Sequence, residues 1–508
     1  MVLKGELTHS SQIPTLEQKR SRSRLFFLIS ISIISGIGIA VAFESLPLFI
    51  FALISISFLF FAVRTAHHFG FFAIQFVFVA SYFLFSNGLD SSPLYSLIGI
   101  AVQSGSIIIL MILFFYYFTQ YLFFPSSLSL SQYRIHFFSS SNWGTRFLWI
   151  WFVFVLFSML FIHQSAGIPR RLFFVLSVGA ILVTFFHYLP ELLIVHKFYS
   201  KFIVLLLSLG AFFAGAGIFL MLLGIYQIPL FGGFLGLTST GFASYPLMVS
   251  TFGSHPNLSA LTYLVSIPVV LVIITSPEFK KLPISIRLIL FFITGLMAFA
   301  LIFSYSRGSL LAVVAASAFL LYYRSRKSFI WIFVVIIPIA LYFASSFLTS
   351  KGTASTISRG VLYFISYKII TSSPTNLLFG TGLDVYTLFT AQREEFGLKD
   401  TAPSPHNVYV FFMIEFGLIG ATLFYAFLIA TIVRLVRWLK SNRSSQYFEV
   451  MILFGTILFG ISIHQLFEDT IVLFNNFVCV SFFIACGVIH LISSRKFAEF
   501  DSQKELKL

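Results

Sequence analysis

The chain has 508 residues, of which 58% are hydrophobic and only 10% are charged. Because soluble domains carry about 25% charged residues, this composition excludes a soluble globular protein and indicates a polytopic membrane protein. The formal net charge is +15, but the basic residues cluster between apolar runs, as they do in cytoplasmic loops. We therefore expect membrane lipid around the protein and no nucleic acid as a partner.

The N-terminal residues 1–24 are polar and basic, with no small-residue cleavage site before the first apolar run. This pattern predicts a cytoplasmic tail and no removable signal peptide. Residues 494–508 are predicted to form a second cytoplasmic tail. The two cysteines, Cys479 and Cys486, both lie in the last apolar run, which favours small core residues over a disulfide or metal framework.

A spanning helix needs about 20 mostly apolar residues. The candidate runs are 25–43, 46–63, 69–86, 94–118, 147–163, 172–189, 202–224, 257–276, 286–304, 309–323, 329–347, 407–433, 448–464 and 471–493. These runs are too long and too uniformly apolar for barrel strands. The predicted fold is all-α, a polytopic transmembrane bundle of about 12–14 spanning helices.

The distribution of Lys and Arg between the connecting segments predicts the orientation of the bundle. With the N-terminus inside, most of the 32 Lys and Arg residues fall on cytoplasmic segments, and both termini are cytoplasmic. Two external segments stand out: 225–256, which is rich in Gly and Pro, and the loop 348–405, which we expect to contain short helices. A loop of that length indicates function, so the active site is expected to face outward.

This topology divides the chain into N-terminal transmembrane helices (25–224), a core with the external loop (225–435) and C-terminal transmembrane helices (436–493). The sequence contains no P-loop and no internal repeat, which argues against an ATP-driven machine.

Arg307 lies between two apolar runs, and Gly308 and Ser309 would open the following helix. A helix start presents free N–H groups and a positive dipole end, so an arginine beside it favours an anion site. Guanidinium also suits bidentate contact with phosphate. The alternative is an arginine that reaches to lipid headgroups.

Arg359 lies in the large external loop, where a capping Ser or Thr followed by an apolar stretch predicts a short amphipathic helix. Arg359 and Tyr363 would share one face of this helix, with Lys368 nearby. The alternative is a pair of solvated or headgroup-bound cations.

Ser404 and Pro405 are helix-start signals that would place His406 and Asn407 in the first turn of a long apolar helix. The positive end of a helix disfavours imidazolium, so His406 would be available as a neutral base. The alternative is a polar interfacial residue without a catalytic task.

Three further features are weaker. Glu415 lies within an apolar run and is predicted to be a structural partner for an arginine or a backbone group. His464 and Glu468 are spaced i, i+4, but two ligands are too few for a metal site; a structural cap or an acceptor contact is favoured. His255 and Asn257 would shape the outer vestibule. No metal site is predicted.

Four segments resemble the O-antigen ligase and polymerase superfamily. They are Gly253–Ala260, Phe303–Leu311, Leu378–Leu383 and Pro405–Gly420, in this order around one external loop. The resemblance covers roughly residues 230–435, and the N-terminal helices carry almost no signature.

The resemblance implies a membrane glycosyltransferase of cell-envelope polysaccharide biosynthesis, in the bacterial inner membrane with its active site facing the periplasm. Such enzymes take a glycan from an undecaprenyl-diphosphate carrier and use no metal or nucleotide cofactor. Arg307 would bind the diphosphate, Arg359 would neutralise the leaving group and His406 would activate the acceptor hydroxyl; Lys368 or Arg393 is the alternative to Arg359. The residues assigned to substrate binding are Arg307, Lys368, Asn407 and Asn257.

The shared Pro-His-Asn and Ser-Arg-Gly motifs favour a ligase, which would pass the glycan to the lipid A-core of lipopolysaccharide. The alternative is an O-antigen or exopolysaccharide polymerase, which would pass it to a second lipid-linked repeat. A transporter or flippase for lipid-linked sugars is the alternative of another class. Transporters place polar residues near the midplane, whereas these charges lie at the outer face, which favours the enzyme.

Overall fold

The computed structural model describes residues 143–163, 168–194, 198–222, 227–230, 233–238, 248–250, 256–304, 306–324, 359–396, 405–468 and 477–494. Several predicted features lie outside these residues: the tail 1–24, the spans 25–43, 46–63, 69–86, 94–118 and 329–347, and His255.

The described part of the chain is built mainly from helices. In chain order they are α1 (Trp143–Phe157), α2 (Ile168–Ile181), α3 (Leu189–Ile194), α4 (Tyr199–Leu222), α5 (Pro256–Thr275), α6 (Ile284–Phe303), α7 (Arg307–Arg324), α8 (described over 359–371), α9 (Pro374–Phe379), α10 (Val385–Glu395), α11 (Val408–Ser441), α12 (Phe448–His464) and α13 (Phe477–Ile492). A π-helical stretch, Ser158–Ile162, extends α1, and another, Leu182–Tyr188, joins α2 to α3.

Within these residues, 4 helical segments are long and apolar enough to cross a membrane: Trp143–Ile162, Phe174–Ile194, Ile284–Phe303 and Val408–Ser441. The apolar segments Tyr199–Gly215, Ala260–Thr275, Phe448–His464 and Val478–Ile492 are shorter. Helices satisfy their own backbone hydrogen bonds, as hydrocarbon requires. The prediction of an all-α membrane protein is confirmed, while the number of about 12–14 spans stays a prediction.

A small antiparallel sheet is an addition that the sequence analysis did not predict. Its strands are β1 (Gln227–Leu230), β2 (Gly233–Thr238) and β3 (Met248–Ser250), in the order β1-β2-β3. Ile228 faces Leu235 across the first pair, and Leu237 faces Val249 across the second. The glycines of this segment suggested an irregular loop, but a link of two residues between β1 and β2 is also the usual length of a hairpin turn.

Helices α7 and α12 pack along each other closely. A Cβ on Gly460 of α12 would lie 3.1 Å from the Cβ of Ala316 on α7, so small residues set the approach. At one end of the pair, the Arg324 guanidinium donates two hydrogen bonds to the Glu449 carboxylate. Since Arg324 ends α7 and Arg307 begins it, this packing also fixes where Arg307 lies.

The N-terminal half of α11 is held by aromatic packing against α1. The fully buried Trp151 ring lies 6.2 Å from Phe412, 5.6 Å from Phe416 and 5.4 Å from Phe424, measured between ring centroids. Edge-on and tilted ring pairs of this kind add to the stabilisation that burial provides. A helix from the N-terminal part of the chain therefore helps to fix the segment that follows His406.

Candidate functional site

Helix α11 is interrupted near its N-terminal end. Gly417 has a φ of +65°, which is outside the helical range, and the backbone turns at this point. The break removes partners from the preceding carbonyls, and the Ile414 carbonyl instead accepts a hydrogen bond of 2.7 Å from the Thr381 backbone N–H. The break in α11 is thus satisfied by the loop between α9 and α10.

Glycine is required on both sides of this contact. A Cβ on Gly417 would lie 2.5 Å from the Gly380 nitrogen, and Gly380 itself has a φ of +79°. A Cβ on Gly382 would collide with the His163 ring, whose Nε2 lies 3.2 Å from the Phe379 carbonyl oxygen. The glycines of Leu378–Leu383 therefore let the external loop dock directly onto the backbone of α11.

Glu415 lies at this break and is only 3% exposed. Among the described residues, its Oε2 atom accepts no hydrogen bond. The predicted arginine or backbone partner for Glu415 is not seen in this part of the chain.

The start of α11 lies three residues later than predicted. The helix begins at Val408, and Asn407 is its N-cap, accepting hydrogen bonds from the backbone N–H groups of Tyr409 (3.0 Å) and Val410 (3.2 Å). His406 has a φ of +51° and precedes the helix. The prediction that His406 and Asn407 occupy the first turn is wrong, because the left-handed backbone at His406 cannot continue into a helix.

His406 and Glu468 form the centre of the site. The Nδ1 atom of His406 lies 3.1 Å from Oε2 of Glu468, and both side chains are mostly buried. Glu468 follows α12, and the Val408 N–H donates a 3.0 Å hydrogen bond to the Gln465 carbonyl, which joins the two helix ends. A carboxylate partner requires the proton on Nδ1, so Nε2 carries the lone pair of the neutral ring.

Glu468 stays ionised although it is buried. Burial alone raises the pKa of its carboxyl, but the hydrogen bond from His406 and the electrostatic effects of His406, His464 and Arg359 together lower the pKa below the ordinary value. Glu468 is therefore an anionic acceptor that fixes the tautomer and the orientation of His406.

Arg307 starts α7 beside the same turn. A Cβ on Gly308 would lie 2.9 Å from the Cβ of Phe467, so glycine lets the start of α7 lie against the residue before Glu468. The chain turns into α7 through local bonds: Ser306 N–H donates to Ser304 Oγ (3.3 Å), and Ser306 Oγ donates to Ser309 Oγ (3.0 Å). The Arg307 side chain itself is exposed.

The positive charge of Arg359 acts on both Arg307 and Glu468. Burial first, and then the positive charge of Arg359, lower the pKa of Arg307. Arg359 also contributes to the lowered pKa of Glu468. The structure therefore brings Arg307, Arg359 and His406 into one electrostatic environment, together with Glu468. Two guanidinium groups that repel each other favour the binding of a multiply charged anion between them.

The other predicted site residues are placed differently. The Lys368 Nζ atom lies 5.4 Å from the centre of the Phe364 ring and 5.0 Å from that of Phe396, so its described contacts are with aromatic rings. Asn257 is in the first turn of α5, and Arg393 is in α10. The substrate-binding roles of Lys368, Asn407 and Asn257 stay predictions.

Glu468 is the residue whose role the sequence analysis missed. It was paired with His464 by its i, i+4 spacing, but its hydrogen bond goes to His406, which lies 62 positions away. His464 is fully buried, and its Nδ1 atom lies 3.4 Å from Gln465 Nε2. Within the described residues, no group of three or more His, Cys, Asp or Glu side chains is arranged to hold a metal ion.

Part of the chain is similar to a known protein family. Residues 290–425 match the family described as O-antigen ligase. This segment contains Arg307, Arg359 and His406, whereas Glu468 lies beyond it. No curated protein matches the chain.

Proposed function

We propose, from the O-antigen ligase domain that this membrane protein carries at residues 290–425, that it transfers a glycan from an undecaprenyl-diphosphate carrier to an acceptor. The observation that supports this proposal best is the hydrogen bond between His406 and Glu468 beside two arginines. An ionised carboxylate, an oriented imidazole and a pair of cations match the needs of a transfer from a diphosphate leaving group.

In the proposed reaction, His406 acts as the general base. Nε2 of His406 takes the proton of the acceptor hydroxyl while that oxygen attacks the anomeric carbon of the glycan. Nδ1 donates to Glu468 throughout, and the carboxylate stabilises the imidazolium that forms. A positioned base of this kind contributes about 10²–10⁴-fold to the rate.

The arginines act on the leaving group. As the bond between the anomeric carbon and the phosphate oxygen breaks, its electron pair goes to the diphosphate, whose negative charge increases. Arg307 binds this diphosphate, and Arg359 neutralises the growing charge. Because the charge is larger in the transition state than in the bound substrate, fixed cations accelerate the step.

The finer assignment is a lipid A-core acceptor, as in an O-antigen ligase, with the site facing the periplasm of a bacterial inner membrane and both termini in the cytoplasm. A polymerase that uses a second lipid-linked repeat is the alternative, because the donor chemistry is identical. We propose no metal or nucleotide cofactor for either reaction.

The test uses the full chain in lipid nanodiscs with a lipid-linked glycan donor. Undecaprenyl diphosphate release and glycan transfer are measured with lipid A-core or with a second lipid-linked repeat as the acceptor. We expect His406→Ala to lose both signals by about 10²-fold or more. The exposed Arg443, which lies in the turn after α11, provides Arg443→Ala as a control that keeps wild-type activity.

The outcomes separate the candidate functions. Transfer to lipid A-core alone supports the ligase, and transfer to the lipid-linked repeat alone supports the polymerase. Movement of the donor across the membrane of sealed vesicles that contain the protein, without release of undecaprenyl diphosphate, would support the transporter and overturn the proposal. Release that is unchanged in His406→Ala would remove His406 from the mechanism.

A further inference from the structure

Helix α8 has two unlike faces, and neither is the usual charged surface of a soluble helix. One face is buried against the rest of the protein (Leu362, Ile365, Ser366 and Ile369). The opposite face carries three exposed aromatic residues: Tyr363 (39% exposed), Phe364 (49%) and Tyr367 (64%). Exposed aromatic residues in this number need an explanation, because they cost free energy in contact with water.

The depth of the neighbouring helix α9 in the membrane can be inferred from α11. Residues 416–433 of α11 carry no charged side chain, and at 1.5 Å per residue they span about 27 Å, close to the hydrocarbon thickness of a bilayer. Glu415 and Arg434 flank this stretch. Gly417 therefore lies near the outer boundary of the hydrocarbon, and its close contact with the Leu378 backbone places α9 at the same level.

The apolar surface continues from α11 onto the loop helices. Leu418 and Ile419 are exposed on α11 directly after the break, and Leu377 and Leu378 are exposed on α9 beside it. Since α11 is a candidate membrane span, this strip faces lipid at its lower end. Two residues separate the end of α8 from the start of α9, so the aromatic face of α8 adjoins this strip.

The chemistry of the α8 face fits a lipid headgroup layer better than a protein partner. Tyr has an apolar ring and a polar tip, and it is enriched at membrane–water interfaces. Lys368 is exposed, and its ammonium lies over the rings of Phe364 and Phe396. Basic and aromatic residues on one helix face are typical of helices that lie in the membrane interface.

We propose that α8 and α9 lie in the outer leaflet, with the Tyr363–Tyr367 face of α8 inserted into the headgroup region and Leu377 and Leu378 of α9 at the hydrocarbon boundary. The external loop is thereby held at a fixed height by the bilayer as well as by its contact with α11. Arg359 begins the described part of α8, so the same insertion holds its guanidinium at the level of lipid phosphates. This inference stands independently of the proposed catalytic function.

Spin labels at single cysteines test the depth of each helix. The native Cys479 and Cys486 are fully buried, so Cys479→Ala and Cys486→Ala give a cysteine-free background. Labels are placed at Tyr367→Cys, at Leu378→Cys and, as a control, at Arg443→Cys in the exposed turn after α11. Collision of each label with oxygen, which dissolves in lipid, and with the water-soluble nickel complex NiEDDA is measured by power saturation in nanodiscs.

We expect the label at position 367 to lose most NiEDDA collisions and to gain oxygen collisions relative to the label at 443. The label at 378 should lie deeper than the label at 367. Equal NiEDDA collision at 367 and 443 would show that α8 is in water and would overturn the proposal. Low collision with both reagents at 367 would also overturn it, because a protein segment or a second copy would then cover the face. Retained glycan transfer, or an unchanged elution volume from size exclusion, confirms that each labelled variant is folded.

Discussion

At the scale of single residues, the hydrogen bond between Glu468 and His406 has the most specific consequences. Glu468 holds the proton of the ring on Nδ1 and leaves the lone pair on Nε2. Gln in place of Glu468 keeps the size of the side chain but removes the charge that stabilises an imidazolium. The role of Glu468 is therefore that of a positioning residue that acts through His406.

We expect Glu468→Gln to lower kcat on the order of 10²-fold with little change in the KM for the lipid-linked donor. Glu395 is an exposed glutamate on α10, and Glu395→Gln is the matched control that keeps wild-type kinetics. Steady-state kinetics in nanodiscs measure both. An increase in KM with kcat unchanged would show that Glu468 binds substrate and does not position the base.

The same carboxyl predicts a dependence of stability on pH. Because the folded protein holds the pKa of Glu468 below its ordinary value of 4.5, the ionised carboxylate stabilises the fold above that value. This contribution is lost as the pH falls through the lowered pKa of the folded state. Thermal unfolding of the wild type and Glu468→Gln should differ at neutral pH, and the difference should vanish on acidification. A difference that is constant down to pH 3 would contradict this reasoning.

Arg307 allows a test of geometry against charge. A diphosphate is bound best by the planar fork of a guanidinium, which lysine cannot reproduce. We expect Arg307→Lys to retain a small part of the activity and Arg307→Ala to lose nearly all of it, measured as undecaprenyl diphosphate release. If both variants kept wild-type activity, Arg307 would only contact lipid headgroups.

At the scale of elements, the break in α11 is the feature on which the external loop depends. Gly417 combines a positive φ with backbone contact to Leu378 and Gly380. We expect Gly417→Ala to destabilise the protein by about 1–2 kcal/mol from the backbone alone, and by more because the loop must move. Gly295→Ala is the control, since a Cβ there meets nothing within 4 Å.

The thermal midpoint of each glycine variant in nanodiscs provides the measurement. Gly417→Ala should lower the midpoint and also weaken donor binding, because the loop that carries Arg359 docks at this break. Gly295→Ala should leave both unchanged or raise the midpoint slightly. A Gly417→Ala variant with wild-type stability would show that the loop does not dock on α11.

The elements also show which parts of the structure the sequence could predict. The helical class followed from composition, and the outer location that alternating helices assign to Arg307, Arg359 and His406 stays a prediction. The break at Gly417 could not be predicted, because a glycine in an apolar run is equally typical of close helix packing. The start of α11 was misplaced because a positive φ at a histidine has no sequence signal.

At the scale of the whole molecule, the candidate site depends on helices that lie far apart in the sequence. Arg307, Arg359 and His406 fall within residues 290–425, but Glu468 follows α12 and the aromatic support of α11 comes from Trp151 on α1. The hydrogen bond between His406 and Glu468 could not be predicted, because only the packed bundle brings the ends of α11 and α12 together.

The dependence of the candidate site on helix packing can be tested at the far ends of α7 and α12. Arg324 and Glu449 join the two helices at the end away from Arg307 and Glu468. Because Glu449 is 40% exposed, solvent screens the ion pair, and we expect Glu449→Ala to cost only about 1 kcal/mol. The reversals Arg324→Glu and Glu449→Arg should each cost more, because like charges then meet.

The double reversal, Arg324→Glu with Glu449→Arg, should recover most of the thermal stability that each single reversal loses. Glycan transfer should recover with it, because the packing of α7 on α12 also brings the start of α7 against the residue before Glu468. A double-mutant cycle on the thermal midpoint and on kcat measures both effects. If stability recovered but kcat stayed low, α7 and α12 would not set the geometry of the site as a pair. If neither recovered, the ion pair would not be the contact that joins these ends of the two helices.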